Sequence, residues 1–261
     1  MPFPSFSSSK ALKKTLISSV FLSGLLLSQT ATQAEDSSSP APGSDAFNEA
    51  VHKYILENPR IIIEAIEIYQ LQQRAAERRQ QEAAFEQFRN DLENSEGSPV
   101  LGNPDGDIVL VEFFDYRCPY CRRAATVVQE LLDEDQNLKV VMKEFPILSP
   151  ESVVGARAAL AAGQQGAYEE YHFELMRNAS DLSVDRLLSL ADKLDLDVAK
   201  FEADMEGPEV TQQILETRQL ATALGVNGTP AFVLNGKSIP PGTPAAEFRK
   251  MIAEIRAQNK G

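Results

Sequence analysis

Tryptophan is absent from the 261 residues, and only two cysteines and two histidines are present. Two cysteines exclude a disulfide-dense scaffold and, by themselves, a four-thiolate zinc site. Basic residues are scarce as well: 25 Lys and Arg against 38 Asp and Glu give a net charge of −13. So acidic a chain is a poor match for phosphate backbones or anionic lipid surfaces, and no nucleic-acid partner is expected. Gly (14) and Pro (15) are too few for a collagen-like or wholly disordered chain. No internal repeat of fixed period is present, and past the N-terminal leader no apolar run is long enough to cross a bilayer.

The leader itself is informative. Lys10, Lys13 and Lys14 precede an apolar core from Leu16 to Leu27, too short for an ordinary membrane span, and Thr32-Gln33-Ala34 puts small residues where a signal peptidase reads them. Residues 1–34 are expected to be a signal peptide cleaved after Ala34; an uncleaved anchor is the alternative. Export to an oxidising compartment would permit cysteine pairing. Residues 35–44, rich in Ser, Pro and Ala, read as a flexible tether.

Helical periodicity begins near Ala46, where Phe47, Val51, Tyr54 and Ile55 fall on one face. Asn58-Pro59 interrupts it, and a long second helix is expected from Pro59 to about Leu92. The first turns of that helix carry Ile61, Ile62, Ile63, Ile66, Ile68, Tyr69 and Leu71 around most of the circumference. One short partner helix cannot cover such a surface, so residues 45–93 are expected to form a helical oligomerisation extension joining two or three chains. Packing of this helix on its own globular domain is the alternative. A coiled-coil seam through Ile62, Ile66, Tyr69, Gln73, Ala76 and Gln80 would be weak, because Gln recurs along it.

Residues 94–106 read as a linker, and 107–261 as an α/β catalytic domain. Its expected elements are a buried strand Ile108–Phe114, a helix Pro119–Leu132, a strand Leu138–Phe145, a helical insertion at about 150–224, a hairpin Ala231–Ile239 turning at Asn235-Gly236, and a final helix Pro244–Gln258.

Both cysteines lie in Arg117-Cys118-Pro119-Tyr120-Cys121-Arg122, directly after a strand and at the start of a helix. Two intervening residues let the thiols close a small disulfide ring across the first helical turn. Unpaired amides and the helix dipole, with Arg117, Arg122 and Arg123 nearby, favour a thiolate at Cys118. Cys121, one turn in, is expected to be the shielded thiol that resolves mixed disulfides. A metal site would need further ligands, and His52 and His172 lie in separate helical segments. A purely structural bridge would close too short a loop to stabilise much. Redox chemistry is favoured, with no metal and no organic cofactor expected.

The run VEFFDYRCPYCRRA resembles the active site of thioredoxin-fold proteins, specifically the DsbA-like periplasmic branch with its helical insertion. Val226 to Val233 (VNGTPAFV) is similar to that family's second landmark. The resemblance spans about Val100 to Ala257 and implies a thioredoxin fold and a periplasmic thiol–disulfide oxidoreductase. It implies a cis Pro230 facing the disulfide, with Thr229, Pro119 and Tyr120 contacting a substrate peptide that adds as a strand. Glu112, six residues before Cys118, matches the family's buried acid. Sharing a strand face with Phe114, it should have a raised pKa and exchange protons with Cys121.

The long helical extension resembles oligomeric members of the ScsC-like type. Thr before the cis-proline is common among disulfide isomerases of the superfamily, whereas DsbA has Val there. Tyr120 replaces the His of DsbA, which implies one fewer donor to the thiolate. Together these features imply an isomerase working on unfolded or misoxidised secreted proteins and recharged by a membrane redox partner. A DsbA-type dithiol oxidase, or a non-catalytic thiol- or copper-binding chaperone, are the alternatives.

Overall fold

A computed structural model of the chain describes residues 41–178 and 180–259. The expected signal peptide, its cleavage point and the first part of the tether lie outside the described residues.

Two units follow one another along the chain, divided between Ile62 and Ile63. In the first, α1 (Asp45–Glu57) starts where the Ser44 hydroxyl accepts from the Phe47 amide, and stops at Asn58. None of its residues is buried, and Val51 and Tyr54 are among its exposed apolar side chains. The second helix, α2 (Arg60–Gln87), crosses the division.

The second unit is built on a five-stranded sheet among the described residues: β1 (Val100–Gly102), β2 (Ile108–Phe114), β3 (Leu138–Glu144), β4 (Ala231–Leu234) and β5 (Lys237–Ile239), in the order β1-β3-β2-β4-β5. β2 and β3 run parallel, and the other pairs are antiparallel. β2 is apolar on both faces because both are covered. Leu110 and Phe114 pack into the larger core with α4 (Pro119–Glu134) and the helical insertion, while Val111 and Phe113 pack into a smaller core on the other face. The β4–β5 turn has positive φ at both Asn235 (47°) and Gly236 (77°), the conformation that an Asn-Gly hairpin supplies.

The insertion comprises α5 (Pro150–Gly163), α6 (Tyr168–Asn178), α7 (Val184–Lys193), α8 (Val198–Met205) and α9 (Pro208–Ala223); α10 (Ala245–Asn259) ends the described chain. The expected interruptions at Gly163–Gly166, Asn178–Leu182 and Gly207-Pro208 are present. One further break falls at Leu194–Asp197, which carries no Gly or Pro; Asp195 turns the chain there at φ 57°.

Three expectations are corrected. The long second helix stops at Gln87, and after Phe88 a short α3 (Arg89–Glu93) follows. The stretch read as a linker contains β1, which pairs with β3 and buries Leu101. Residues 45–93 are also not separable as a block. Phe85 and Leu92, each 1% exposed, belong to the smaller core with Phe113, Phe145 and Val233. Lys143 donates to Asp91 O and to the hydroxyls of Ser95 and Ser98, fixing the chain that follows α3 to the sheet. The unburied apolar surface of α2 is confined to its start: Ile62, Ile66, Tyr69 and Leu71 are 44–63% exposed.

Candidate active site

Cys118 is the N-cap of α4 and Pro119 its first residue, where a missing N–H costs nothing. The Cys121 amide donates to Cys118 Sγ at 3.4 Å, so the helix end points a backbone donor at that sulfur. From the opposite side the Cys118 thiol donates to Thr229 O at 3.3 Å, and the Thr229–Pro230 bond is cis. Cys118 and the Thr229-Pro230 loop, 111 residues apart in sequence, are thus brought into contact. Thr229 Oγ1 is buried and without a partner.

Behind this surface lie Cys121, fully buried, and Glu112, 1% exposed on β2. Burial pushes the Cys121 thiol far up, and the charge of Glu112 adds to the effect. Burial likewise pushes the Glu112 carboxyl up to about 8, with the Cys118 charge adding to it. Glu112 is therefore an acid at neutral pH, beside a thiol that takes a proton as soon as it is released as thiolate.

That shift has a measurable consequence. The folded state holds the Glu112 proton more tightly than the unfolded chain does, so its contribution to stability is complete at pH 4 and lost as pH rises toward 8. Glu112→Gln in the reduced protein is expected to match the parent near pH 4 and exceed it by a few kcal/mol at pH 8, at 1.36 kcal/mol per pKa unit. Denaturant unfolding at several pH values reads the difference; parallel stability curves would mean that Glu112 is not desolvated.

Tyr120 is 63% exposed, with the Arg123 guanidinium 4.5 Å above its ring. The two residues open a cavity of about 280 Å³ beside the motif, further lined by Pro230, Phe232, Thr243 and Pro244. Arg117 Nη1 donates to Ser180 O, so two of the three expected arginines are engaged at the surface by these partners.

Sequence reading missed the residues that hold the loop. Asp115 is buried: Oδ1 accepts from the Arg117 amide and the Ser152 hydroxyl, and Oδ2 from the amides of Ile147 and Leu148. One carboxylate thus joins the turn before Cys118 to the β3–α5 connection. Tyr116, two residues before Cys118, is fully buried and donates to Glu144 Oε1 at 3.0 Å. Its hydroxyl also lies 2.9 Å from His172 Nδ1. His172 is packed among Phe114, Phe173 and Tyr168, and burial pushes it down to about 3, so it is neutral. An acid directly after a strand and before the cysteines was the available signal for Asp115. Nothing local marked Glu144. Among the described residues no three His, Cys, Asp or Glu side chains converge as a metal-binding group.

A paired thiol at a helix start, facing a cis-proline loop across a sheet of this order, defines the thioredoxin-fold dithiol proteins. Residues 109–253 match the DSBA-like thioredoxin domain, and the chain belongs to that family of thiol–disulfide oxidoreductases. Residues 45–76 match the N-terminal domain of the copper resistance protein ScsC. Among solved structures, a thioredoxin-like oxidoreductase from Silicibacter pomeroyi DSS-3 is 44% identical, with a TM-score of 0.61 over 65% of this chain and 98% of the other. BcfH from Salmonella enterica Typhimurium is 27% identical, with a TM-score of 0.69 over 80% of this chain and 94% of the other.

The curated relatives carry another description. A Na(+)/H(+) antiporter NhaA 1 from Salinispora arenicola is 36% identical over 140 residues, 53% of this chain. The chain spans only 22% of that protein's length. No helix among the described residues is long and apolar enough to cross a membrane.

Proposed function

We propose that the chain is an exported, periplasmic protein disulfide isomerase that acts on cysteines of unfolded or misoxidised secreted proteins. The observation that carries the reading is the order of the two thiols. Cys118, 3% exposed, caps the helix against Thr229 O among the exposed Arg117, Pro119 and Tyr120, while Cys121 and Glu112 are 0–1% exposed one turn and one strand further in. Of the two thiols, Cys118 at the helix start would be the one to meet a client sulfur once the client strand lies along the Thr229 loop. In isomerisation the Cys118 thiolate attacks a wrong client disulfide, a new S–S bond joins client and Cys118, and the electron pair leaves on the other client sulfur. That thiolate attacks elsewhere in the client, and the correct pairing expels Cys118 as thiolate. Where the intermediate stalls, Glu112 first gives its proton to solvent and then takes that of Cys121, whose thiolate attacks Cys118, closing the Cys118–Cys121 disulfide and expelling the client thiolate.

Thr229, Pro119 and Tyr120 border the place where a client strand would lie, and the cavity lined by Tyr120 and Pro230 would take an apolar side chain next to the reacting cysteine. Association through the exposed start of α2 would give a dimer or trimer, which the match to the ScsC N-terminal domain over residues 45–76 supports. A membrane redox partner would restore the working redox state. The ScsC match also favours a second reading, in which the two thiols hold copper; the reduced protein would then purify with stoichiometric metal.

Rapid acid quenching of cells followed by thiol alkylation tests the direction of the reaction. Cys118 is expected to be mainly reduced in the compartment. A mainly oxidised pair would make the protein a dithiol oxidase.

A further inference from the structure

Around Cys118 the charge runs against that of the whole chain. The net charge is −13, yet α4 opens with Arg122 and Arg123 and has no acidic residue in its first turn. A helix N-terminus is the end that disfavours cations, so the helix dipole opposes this placement. Both arginines are exposed, and neither has a carboxylate partner among the described residues. Arg123 instead lies 4.5 Å over the ring of Tyr120. Arg117, on the other flank of the cysteine, is held by Ser180 O and lies in the field of Glu151. The cavity of about 280 Å³ beside the motif places Arg123 further. Ala124, Val127, Pro230, Phe232 and Phe248 make its lining largely apolar, and Arg123 is the only charged side chain that borders it. The Thr243 hydroxyl, also in the lining, donates to Pro240 O. An apolar cavity bordered by one cation matches an occupant with an apolar body and a carboxylate beside it.

We infer that Arg123, with Arg122 beside it, selects client segments in which a large apolar residue and an acidic residue accompany the reacting cysteine. The inference rests on the thiol–disulfide reading above and names its substrate class. The apolar side chain enters the cavity and fixes the client strand along the Thr229 loop. The neighbouring carboxylate meets the Arg123 guanidinium, whose planar fork matches it in two hydrogen bonds. Stacking on Tyr120 already restricts the guanidinium, so less side-chain freedom is lost when the carboxylate arrives. A client with Lys or Arg at the same place brings like charge onto two arginines that have no acid to offset them, and is rejected. The acidic remainder of the molecule repels an acidic segment, which leaves the redox face as the place where one can settle. Arg123 touches no reacting sulfur; it determines which clients are presented to Cys118. The pair is solvent-exposed, so the preference for Glu over Gln is on the order of fivefold.

Stopped-flow release of 2-thiopyridone from peptide 2-thiopyridyl disulfides by the reduced full chain measures the selection. The peptides share a cysteine and an adjacent leucine and differ only in a Glu, Gln or Lys beside them. The rate constants are expected to fall in the order Glu, Gln, Lys, and the spread to shrink in salt of about 0.5 M, where charges are screened within a few ångströms. Arg123→Gln should bring the Glu-to-Lys ratio close to one, while Arg123→Lys keeps its direction. Replacing the leucine with serine should weaken the preference in the parent, because the strand is no longer anchored in the cavity. Equal rates for the three peptides, or a ratio that Arg123→Gln leaves in place, would overturn the inference. So would an Arg123→Gln that slows all three by one factor, which would assign the guanidinium to the Cys118 thiolate instead. Each of these results leaves the thiol–disulfide reading intact, since the chain still reacts. A chain that releases 2-thiopyridone from none of the peptides would overturn both.

Discussion

Cys118→Ser is expected to reduce turnover of a disulfide substrate to the uncatalysed background, while the protein stays folded and still binds client peptide. The replacement keeps the N-cap, since a serine hydroxyl accepts from the α4 amides as well as sulfur does. What it removes is the only sulfur placed between the helix start and Thr229 O. Cys121 cannot substitute: it is fully buried, and burial together with Glu112 holds it as the thiol. Turnover of a fluorogenic disulfide and peptide binding by titration, measured on the same preparation, separate the two effects. Retained turnover in Cys118→Ser would mean that the chemistry lies elsewhere.

The second large effect concerns the extension. Deleting residues 35–93 would strip Phe85 and Leu92 from the smaller core and take away the Asp91 carbonyl that Lys143 holds, so that truncation is expected to unfold the sheet. A cut before Glu77 keeps those contacts and removes the exposed Ile62, Ile66, Tyr69 and Leu71. The shortened chain is expected to sediment as a monomer and to reduce small disulfides at the parent rate. Its refolding of a scrambled, multiply bridged client should fall on the order of tenfold or more, because several Cys118 sites no longer surround one substrate. A full-length chain that sediments as a monomer, or a truncated one that isomerises equally well, would remove the physical basis for the isomerase and favour a plain oxidase.

How far the sequence carried the account depended on how local each signal was. β2, the CxxC helix and the Asn-Gly hairpin were legible because strand period, helix N-terminus and turn chemistry all act within a few residues. Glu112 could be placed from its match to the buried acid of the resembling family, supported by its alternation with Phe114. β1 was not legible: three residues between Pro99 and Pro104, with one buried side chain, leave no period to read. The break at Leu194–Asp197 was hidden because an Asp at positive φ does the work usually signalled by Gly. Half of α2 was legible: its Ile-rich start was read as uncovered and is exposed, whereas its polar-looking end, which delivers Phe85 to the core, gave no such signal. Glu144 gave none either, since its surroundings come from β2, the loop after it and α6, brought together only by the fold.

The central claim is that Cys118 alone meets client sulfur. It is tested most directly by offering Cys121→Ser a peptide carrying one disulfide and locating the cross-link by mass spectrometry of the digested adduct. The account predicts a stable mixed disulfide on Cys118, formed in high yield because no second thiol can release it, and no comparable adduct on Cys121 when Cys118→Ser is given the same peptide. Absence of an adduct on Cys118, or an equal yield on Cys121 in the reciprocal variant, would contradict it.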